Sequence, residues 1–307
     1  MDLFFRYLLT GIGNGAVYAL VALALVLIFR STGLLNLAQG EMALFSTYMA
    51  WKLTSVGASI VVAIVITVVL SMIGGAVIER LLIRPVSTPQ RSHLDVLIVM
   101  LGLFLGLNAL AQLFFSADAE PMPKPWPTIS SPGDPVGRTD TFATIGDVNI
   151  PWSTVMTVLV LVALCGVLWL LFQKTKLGLM MRAAASNSPS ARLSGVTSST
   201  MLMLGWAMSA GLGAVAGVFA AAQRGSVNPG LMAVVLVYAF SAAALGGFDS
   251  AVGAVVGGMI VAIAESLTTG YVDALATIEL VVPFGIILLV LLVRPQGLFG
   301  RKTVERV

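Results

Sequence analysis

One acidic residue, Glu41, stands in an otherwise apolar stretch and follows the polar sequence NLAQG at 36–40. A charged carboxylate in an apolar medium is costly unless it is paired, so this acid is a candidate binding group for a polar solute. Asn36 can cap a helix, and Gln39 can reach back to the cap as in a capping box. Gly40 interrupts the same helix. The alternative interpretation is that Glu41 lies near the positive end of this helix, partly solvated, and only organises the break.

The remaining sequence contains no catalytic constellation. Its one histidine, His93, lies two residues after Arg91, so neither a histidine-based triad nor a multi-histidine metal site can be assembled from this chain alone. The single cysteine, Cys165, lies in an apolar run and is expected to be a small buried hydrophobic residue. The phosphate-loop patterns GxxxxGKS and GxxxxGKT are absent, so any ATP-driven step needs a nucleotide-binding partner chain.

The composition indicates an integral membrane protein. Hydrophobic residues make up 58% of the 307 residues and charged residues only 10%, a balance that soluble domains of this length do not reach. Period-two alternation is absent, so we predict an all-α, polytopic transmembrane bundle that forms one domain over residues 1–307. Roughly eight or nine apolar segments, some short or broken, can cross about 30 Å of hydrocarbon. The long segments are 7–29, 57–78, 94–115, 151–173, 201–222 and 251–270, and the short ones are 36–54, 231–247 and 279–293.

The distribution of Lys and Arg sets the sides of the membrane. Basic residues concentrate near 80–91, in 174–196 and after 294, which places these regions in the cytoplasm. The loop 116–150 is acidic and turn-rich, so it belongs outside, where it forms an irregular cap that is either a connector or a landing surface for a partner. Nine crossings put the amino terminus outside and the carboxyl terminus inside. If the segment 36–54 re-enters instead of crossing, the amino terminus moves inside.

Acids near the carboxyl-terminal segments are weaker candidates for function. Glu265, Asp273 and Glu279 surround a turn at which water of the outer leaflet is expected to solvate them. Asp249 follows two glycines and is predicted to cap the next helix. A membrane enzyme that uses Glu265 and Glu279 is an alternative, although the sequence has no matched acid–base pair. Ion coupling would need acids near the midplane of several segments, and the chain has too few.

A polar interruption, Lys174–Val196, separates two long apolar runs and carries the signals of a short helix. Ser188 can cap this helix, Pro189 suits the first helical position, and Gly195 suits a left-handed terminal position. These signals predict a helix of about two turns over Pro189–Ser194. A short helix held at the cytoplasmic face between two membrane segments offers a docking surface, and we expect another protein to push on it.

Small residues recur every four positions in three segments. Such stripes let helix backbones approach closely in a membrane, and we expect them to pack helices of one chain rather than to form a dimer face. One internal echo, 17–20 (VYAL) against 237–240 (VYAF), is compatible with the repeats that transporters contain. The stripes are Gly11, Gly15 and Ala19; Ser209, Gly213 and Gly217; and Gly253 and Gly257.

Four stretches carry a resemblance to a known family. With them the chain resembles the LivH-type inner-membrane permeases of bacterial ABC importers for branched-chain amino acids, whose relatives include urea and short-chain amide permeases. The chain lacks an extended amino-terminal membrane region, which favours the LivH type over the LivM type. The stretches are LLNLAQGEMALFSTY at Leu34–Tyr48, ERLLIRPV at Glu79–Val86, the spacing of Gly178, Arg182-Ala183, Ala191 and Gly195-Val196, and RPQGLFG at Arg294–Gly300.

The resemblance implies a permease subunit of an importer for a small polar solute, above all a branched-chain amino acid. This chain and a second, LivM-type permease would form the pore, two ATPase subunits would bind ATP and magnesium, and a periplasmic protein would deliver the solute. The chain itself would hold no cofactor, metal or nucleic acid, and it would lie in the bacterial inner membrane among lipids. Transport would proceed by alternating access along a path organised by Asn36, Gln39, Gly40 and Glu41.

The resemblance also implies that residues 174–200 form the cytoplasmic coupling loop that enters a groove on the ATPase. The family often has histidine at the position of Gln39 and threonine at that of Met100, and a permease for urea or a short-chain amide fits these departures equally well. A stand-alone channel for a small neutral solute is a further alternative, but it leaves the central helix without a role. The implied coupling residues are Gly178, Arg182, Ala183, Ser188, Pro189, Ala191, Arg192 and Gly195.

Overall fold

The computed structural model describes residues 2–33, 35–87, 93–127, 141–145, 148–186, 197–272, 278 and 280–300. A π-helical turn, Glu79–Ile83, joins two of its helices, α3 and α4. The helices are α1 (Asp2–Thr32), α2 (Gln39–Ser55), α3 (Ile60–Ile78), α4 (Arg84–Val86), α5 (His93–Phe114), α6 (Trp152–Lys174), α7 (Lys176–Ser186), α8 (Ser198–Arg224), α9 (Leu231–Gly246), α10 (Ala251–Tyr271) and α11 (Val281–Val293).

Each predicted apolar segment coincides with one of these helices, which confirms the polytopic helical bundle. Among the described residues, six helices are long and apolar enough to cross a membrane, and α9 and α11 are shorter apolar helices. The predicted helix Pro189–Ser194 lies outside the described residues, as do Asp273 and Glu279. The bundle is therefore established for the membrane segments, while the centre of the coupling loop remains a prediction.

Two short strand pairs involve the outer loop, one within it and one between it and the connection from α8 to α9, which corrects the expectation of an irregular cap. β1 pairs with β4 and β2 pairs with β3, in both cases antiparallel. Since β1 follows α5 and β4 follows α8, these two helices end on the same side of the bundle. Trp126 of this loop is buried, and its ring centroid lies 6.1 Å from that of Phe219. The strands are β1 (Glu120–Pro121), β2 (Thr141–Ile145), β3 (Val148–Pro151) and β4 (Ser226–Val227).

The helix ends alternate between two sides, as nine crossings require. Tyr7 near the start of α1 contacts Tyr271 at the end of α10, with ring centroids 5.8 Å apart. At the opposite end of α1, Phe29 contacts Phe248, 5.4 Å away between centroids. The basic loops share this second side, because Arg84 Nη2 donates a hydrogen bond to the carbonyl oxygen of Ser199, 3.3 Å away at the start of α8. We call it the inner side.

The centre of the bundle is formed by α1 and α8. Within the most apolar stretch of each helix, 83% of the residues are buried in α1 and 78% in α8. The corresponding shares are 22% in α3, 17% in α5 and 11% in α6. The exposed apolar side chains of the latter three helices suit hydrocarbon as their surroundings. Two helices so deeply enclosed need small residues where their neighbours approach.

The small-residue stripes supply these contacts within the chain, as predicted. A Cβ atom on Gly258 of α10 would lie 2.7 Å from the backbone nitrogen of Ala19, and one on Gly15 would lie 3.1 Å from Met259 Cα. These distances leave no room for a side chain, so the stripe of α1 packs against α10. In the same way, a Cβ atom on Gly217 of α8 would lie 2.8 Å from the carbonyl oxygen of Ala43 in α2.

Two halves of the described chain repeat the same arrangement in opposite orientation. In each, a long central helix is followed by a short helix and then by a peripheral one: α1, α2 and α3, and again α8, α9 and α10. The packing also corresponds, because α1 packs against α10 as α8 packs against α3, and α2 packs against α8 as α9 packs against α1. Since α1 and α8 run in opposite directions, this is an inverted repeat.

Matching asparagines precede the two short helices. Asn36 Oδ1 accepts a hydrogen bond from Ala38 N at 3.0 Å, and Asn228 Oδ1 accepts one from Gly230 N at 3.1 Å. Each asparagine lies three residues before the first residue of its helix. The echo at 17–20 and 237–240 does not mark this repeat. Its tyrosines, Tyr18 and Tyr238, stack face to face with centroids 4.6 Å apart, on helices that are not equivalent.

Two of the family-like motifs secure the inner side. Arg84 pairs with the buried carboxylate of Glu79 at 2.8 Å across the π-helical turn. In the tail, Leu298 N and Phe299 N donate to the carbonyl oxygens of Leu245 (2.7 Å) and Gly246 (3.0 Å). These bonds satisfy carbonyl groups at the end of α9 that would otherwise lack partners.

The cap of α10 differs from the prediction. Ser250, not Asp249, is the N-cap residue, and its Oγ accepts a hydrogen bond from Gly253 N at 3.0 Å. The short serine side chain is one residue closer to the first helical turn, so its oxygen reaches an unpaired amide group there.

Candidate functional site

The start of α2 is shaped by Asn36 and Gln39, but not as a capping box. Ala38 is the N-cap residue and makes no side-chain cap. Asn36 Oδ1 is instead bound by the amide group of Ala38, and Asn36 Nδ2 donates to Gln39 Oε1 at 3.2 Å. Both side chains are fully buried. The two predicted residues therefore contact each other, and they brace the turn that enters the helix rather than its first amide groups.

Gln39 connects α2 to the two central helices. Its Nε2 donates to the carbonyl oxygen of Ser209 at 3.1 Å. Ser209 Oγ lies 2.8 Å from both Ala24 O and Gln39 Oε1 and donates to one of them at a time. Ala24 is eight residues from the end of α1, a rise of about 12 Å along the helix.

These contacts place the start of α2 deep within the bundle. The chain returns into the bundle through residues 33–38 and begins α2 inside it, because the Gln39 side chain must reach Ser209 and Ala24. From there α2 continues towards the side at which α5 and α8 end. The segment 36–54 thus begins with a non-helical break and continues as α2 to the side at which α5 ends, where Tyr48 stacks on Phe115.

The carboxylate of Glu41 is buried within the bundle. The residue is 1% exposed, so it is not the partly solvated acid of the alternative interpretation. Its Oε2 accepts a hydrogen bond from Asn108 Nδ2 of α5 at 2.8 Å. Its Oε1 has no hydrogen-bond partner among the described residues. A buried carboxylate oxygen with a free lone pair is a site where a cationic or donor group of a ligand can bind.

Asn108 also binds the loop that leads into α9. The same Nδ2 lies 3.0 Å from the carbonyl oxygen of Pro229, and Asn108 Oδ1 accepts a hydrogen bond from Gln112 Nε2 at 2.6 Å. Gln112 is exposed one turn further along α5. A polar track therefore runs from Glu41 through Asn108 to the outer part of α5.

Gly40 lets the starts of α2 and α9 meet. A Cβ atom on Gly40 would lie 3.0 Å from the carbonyl oxygen of Met232 and 3.1 Å from Leu236 Cβ. The prediction that Gly40 interrupts the helix is wrong, because Gly40 lies in the first turn of α2. Its missing side chain instead lets α9 approach closely. The amino-terminal ends of both short helices carry partial positive charge, and they converge beside the Glu41 carboxylate.

The described coupling residues lie in α7. Thr175 Oγ1 accepts a hydrogen bond from Gly178 N at 3.1 Å, which closes the corner between α6 and α7. Arg182 is exposed and donates to Gln173 Oε1 at 3.1 Å, and Ala183 is also exposed. The other predicted coupling residues lie outside the described residues: Ser188, Pro189, Ala191, Arg192 and Gly195.

Of the weaker candidates Glu265, Asp273 and Glu279, only Glu265 lies in the described ranges. Glu265 is half-buried and accepts a hydrogen bond from Tyr18 OH at 3.1 Å, so it is not simply solvated as expected. Within the described ranges, no three His, Cys, Asp or Glu residues lie close enough together to hold a metal ion.

Sequence reasoning missed Asn108 and Ser209. Asn108 and Gln112 stand out, one helical turn apart, as polar residues in the apolar run of α5, and this spacing was an available signal. The sequence marks Ser209 only as part of a packing stripe. Its hydrogen bonds to Gln39 and Ala24 could not be inferred from a pattern of small residues.

The comparisons with known proteins agree with this architecture. The family described as "Branched-chain amino acid transport system / permease component" matches residues 7–291. The permease protein BraD of a high-affinity branched-chain amino acid transport system from Pseudomonas aeruginosa is 30% identical over 99% of this chain and 98% of its own length. LivH of Escherichia coli K12 has the same identity and coverage. A probable LivH of Methanocaldococcus jannaschii is 28% identical over 92% of this chain and 88% of its own length. No solved structure matches significantly.

Proposed function

This multi-pass membrane protein belongs to the permease family of branched-chain amino acid transport systems, and from that premise we propose that it is the LivH-type half of an ATP-driven importer. A second, LivM-type permease would complete the pore, two ATPase subunits would bind ATP and magnesium, and an extracytoplasmic protein would deliver the solute. The observation that carries the proposal is the buried Glu41 carboxylate with one unpartnered oxygen, placed where α2 and α9 begin.

An amino acid zwitterion complements both the Glu41 carboxylate and the positive amino-terminal ends of α2 and α9. Its ammonium group can bind Glu41 Oε1, and its carboxylate can bind near the starts of α2 and α9, where helix ends favour negative charge. The polar track through Asn108 and Gln112 offers a route from the outer side. A neutral solute such as urea would gain less from the Glu41 charge, because it carries no ammonium group.

The path from the coupling loop to this site runs through α8. The loop leads directly into α8, whose Ser199 is held by Arg84 and whose Ser209 binds Gln39. ATP-driven closure of the ATPase dimer would displace α7 and the segment 187–196, and α8 would carry this displacement to the start of α2. Alternating access then follows if the ATPase binds the two permease states with different affinity.

The first test replaces Glu41 by Gln in the reconstituted complex with its partner subunits. We expect Glu41→Gln to lower ATP-dependent leucine uptake about tenfold or more, because the amide cannot neutralise the ammonium group. Complex assembly and basal ATP hydrolysis should persist. The matched control is Glu265→Gln, another intramembrane carboxylate, which should retain most of the uptake. Undiminished leucine uptake by Glu41→Gln would refute the assignment of the site.

The second test concerns the coupling loop. Ala191→Asp adds a charge to the surface that the ATPase would grip, and we expect uptake to fall to background while the protein remains inserted in the membrane. ATP hydrolysis by the complex would then no longer depend on the delivered solute. Retention of full ATP-dependent uptake would contradict the coupling role. Flux through the purified chain without ATP would instead favour the channel alternative.

A further inference from the structure

A cleft opens at the inner side of the bundle, away from Glu41. It has a volume of about 450 Å³ and lies between the inner parts of α1, α6 and α10, with α7 at its mouth. Its walls are almost entirely aliphatic or aromatic. They include Leu23 and Leu27 of α1, Leu168 and Phe172 of α6, and Val252 and Val255 of α10.

The mouth of this cleft is basic. Arg30 from the last turn of α1 and Arg182 from α7 both line it, and both side chains are exposed. Arg182 binds the neutral side chain of Gln173, and neither arginine forms an ion pair with any described acid. Two guanidinium groups above an apolar cavity complement an anionic head group joined to a hydrocarbon chain.

The position of the cleft fits the boundary between hydrocarbon and head groups of the cytoplasmic leaflet. Trp169 lines the cleft and is 56% exposed, and Lys174 Nζ lies 5.9 Å from its ring centroid. Tryptophan and lysine are typical of this boundary. The apolar walls extend from this level into the bundle, where an acyl chain would lie.

We propose that this cleft binds one anionic phospholipid of the cytoplasmic leaflet, with its phosphate between Arg30 and Arg182 and an acyl chain along α1 and α10. Basic pockets between transmembrane helices on the cytoplasmic side are suited to such lipids. Because Arg182 belongs to α7, the lipid would join the coupling hairpin to the central helix α1. The binding does not depend on which solute is transported.

Native mass spectrometry of the intact transporter complex tests the proposal. The complex is titrated with phosphatidylglycerol or with phosphatidylcholine of the same acyl chains, and the bound lipids are counted. We expect wild type to prefer phosphatidylglycerol by about tenfold, which corresponds to about 1.4 kcal/mol. Arg30→Gln combined with Arg182→Gln should abolish this preference. Arg224→Gln on the outer side is the matched control and should preserve it.

Two further measurements separate a lipid from other ligands. Val255→Trp fills the cleft without changing its charge, and we expect it to prevent retention of phosphatidylglycerol in a complex that still elutes as wild type. Excess inorganic phosphate should leave retention unchanged. Displacement by phosphate, equal retention of both lipids, or retention unaffected by the arginine and Val255 variants would each overturn the proposal. It would also fail if only the permease free of ATPase bound the lipid, since the ATPase would then cover the cleft.

Discussion

The side chain of Asn108 holds together two parts of the site that are distant in the chain. Its amide group lies 2.8 Å from Glu41 Oε2 and 3.0 Å from the carbonyl oxygen of Pro229. One amide thus fixes the carboxylate and the lead-in to α9 at the same time. Its contribution should be visible in stability as well as in transport, because both partners are buried or half-buried.

Asn108→Asp tests this role. The change removes the donor and places a second carboxylate beside Glu41, so we expect the free energy of unfolding to fall by about 2–4 kcal/mol. Thermal unfolding of the purified protein in detergent measures the loss. Adding Glu41→Gln should recover much of it, because the like-charged pair disappears. Asn149→Asp on the exposed strand β3 is the control. Equal losses with and without Glu41→Gln would exclude repulsion between the two carboxylates.

Much of the polar cluster was predictable from the sequence at the level of residue types. An acid and two amides in an apolar stretch identified Asn36, Gln39 and Glu41. Their partners were not predictable, since Asn108 lies 67 residues from Glu41 and Ser209 lies 170 residues from Gln39. Local patterns report which side chains need partners, whereas the tertiary fold decides which residues supply them.

Among the helices, close approach at glycine decides which elements form the core. The enclosed helices α1 and α8 meet α10 and α2 along small-residue stripes, while the single glycine of α6, Gly166, contacts no neighbouring helix. Gly258 has the backbone of Ala19 within 2.7 Å of a Cβ position, and Gly166 has nothing within 4 Å of such a position. Gly258 is therefore needed for a helix contact, whereas Gly166 is not.

We expect Gly258→Val to lower the free energy of unfolding by about 1–3 kcal/mol, because the side chain would force α1 and α10 apart. Gly166→Val makes the same substitution in the interior of another helix and should change stability little. Unfolding midpoints in detergent, measured side by side, give the comparison. Similar losses in both variants would mean that the valine acts through helix propensity rather than through the contact.

Hydropathy was sufficient to locate the membrane helices, because every long apolar run in the described ranges must satisfy its backbone as a helix. It was not sufficient for the break before α2 or for the π-helical turn Glu79–Ile83, which depend on side-chain hydrogen bonds and on an ion pair. The echo at 17–20 and 237–240 carries no information about the repeat, because its two tyrosines stack on each other from helices that are not equivalent.

In the molecule as a whole, the two inverted halves place one short helix each at the centre. The starts of α2 and α9 meet there, and Glu41 lies beside them. The sequence did not reveal this symmetry, since the halves share their order of helices and their contacts rather than their residues. The paired asparagines, Asn36 and Asn228, mark it at the level of the sequence.

Cysteine labelling tests the orientation of the whole chain. In a Cys165→Ser background, Ser55→Cys at the end of α2 should react with a membrane-impermeant maleimide in intact cells. Lys176→Cys at the start of α7 should react only after permeabilisation, because the positive charge of this hairpin predicts a cytoplasmic location. Labelling of Lys176→Cys from outside would invert the topology, and the ATPase could not then reach the coupling loop.

The opposite orientation of the halves also bears on how such a chain can arise. Duplication of a gene yields two copies with the same preference for one side of the membrane, and a simple tandem fusion would keep both copies in that orientation. This difficulty does not arise for a half-length ancestor that inserted in both orientations because its Lys and Arg residues were evenly distributed between the two sides. Fusion would then have fixed one copy in each orientation, and the arginines and lysines that now hold the inner side would be later acquisitions.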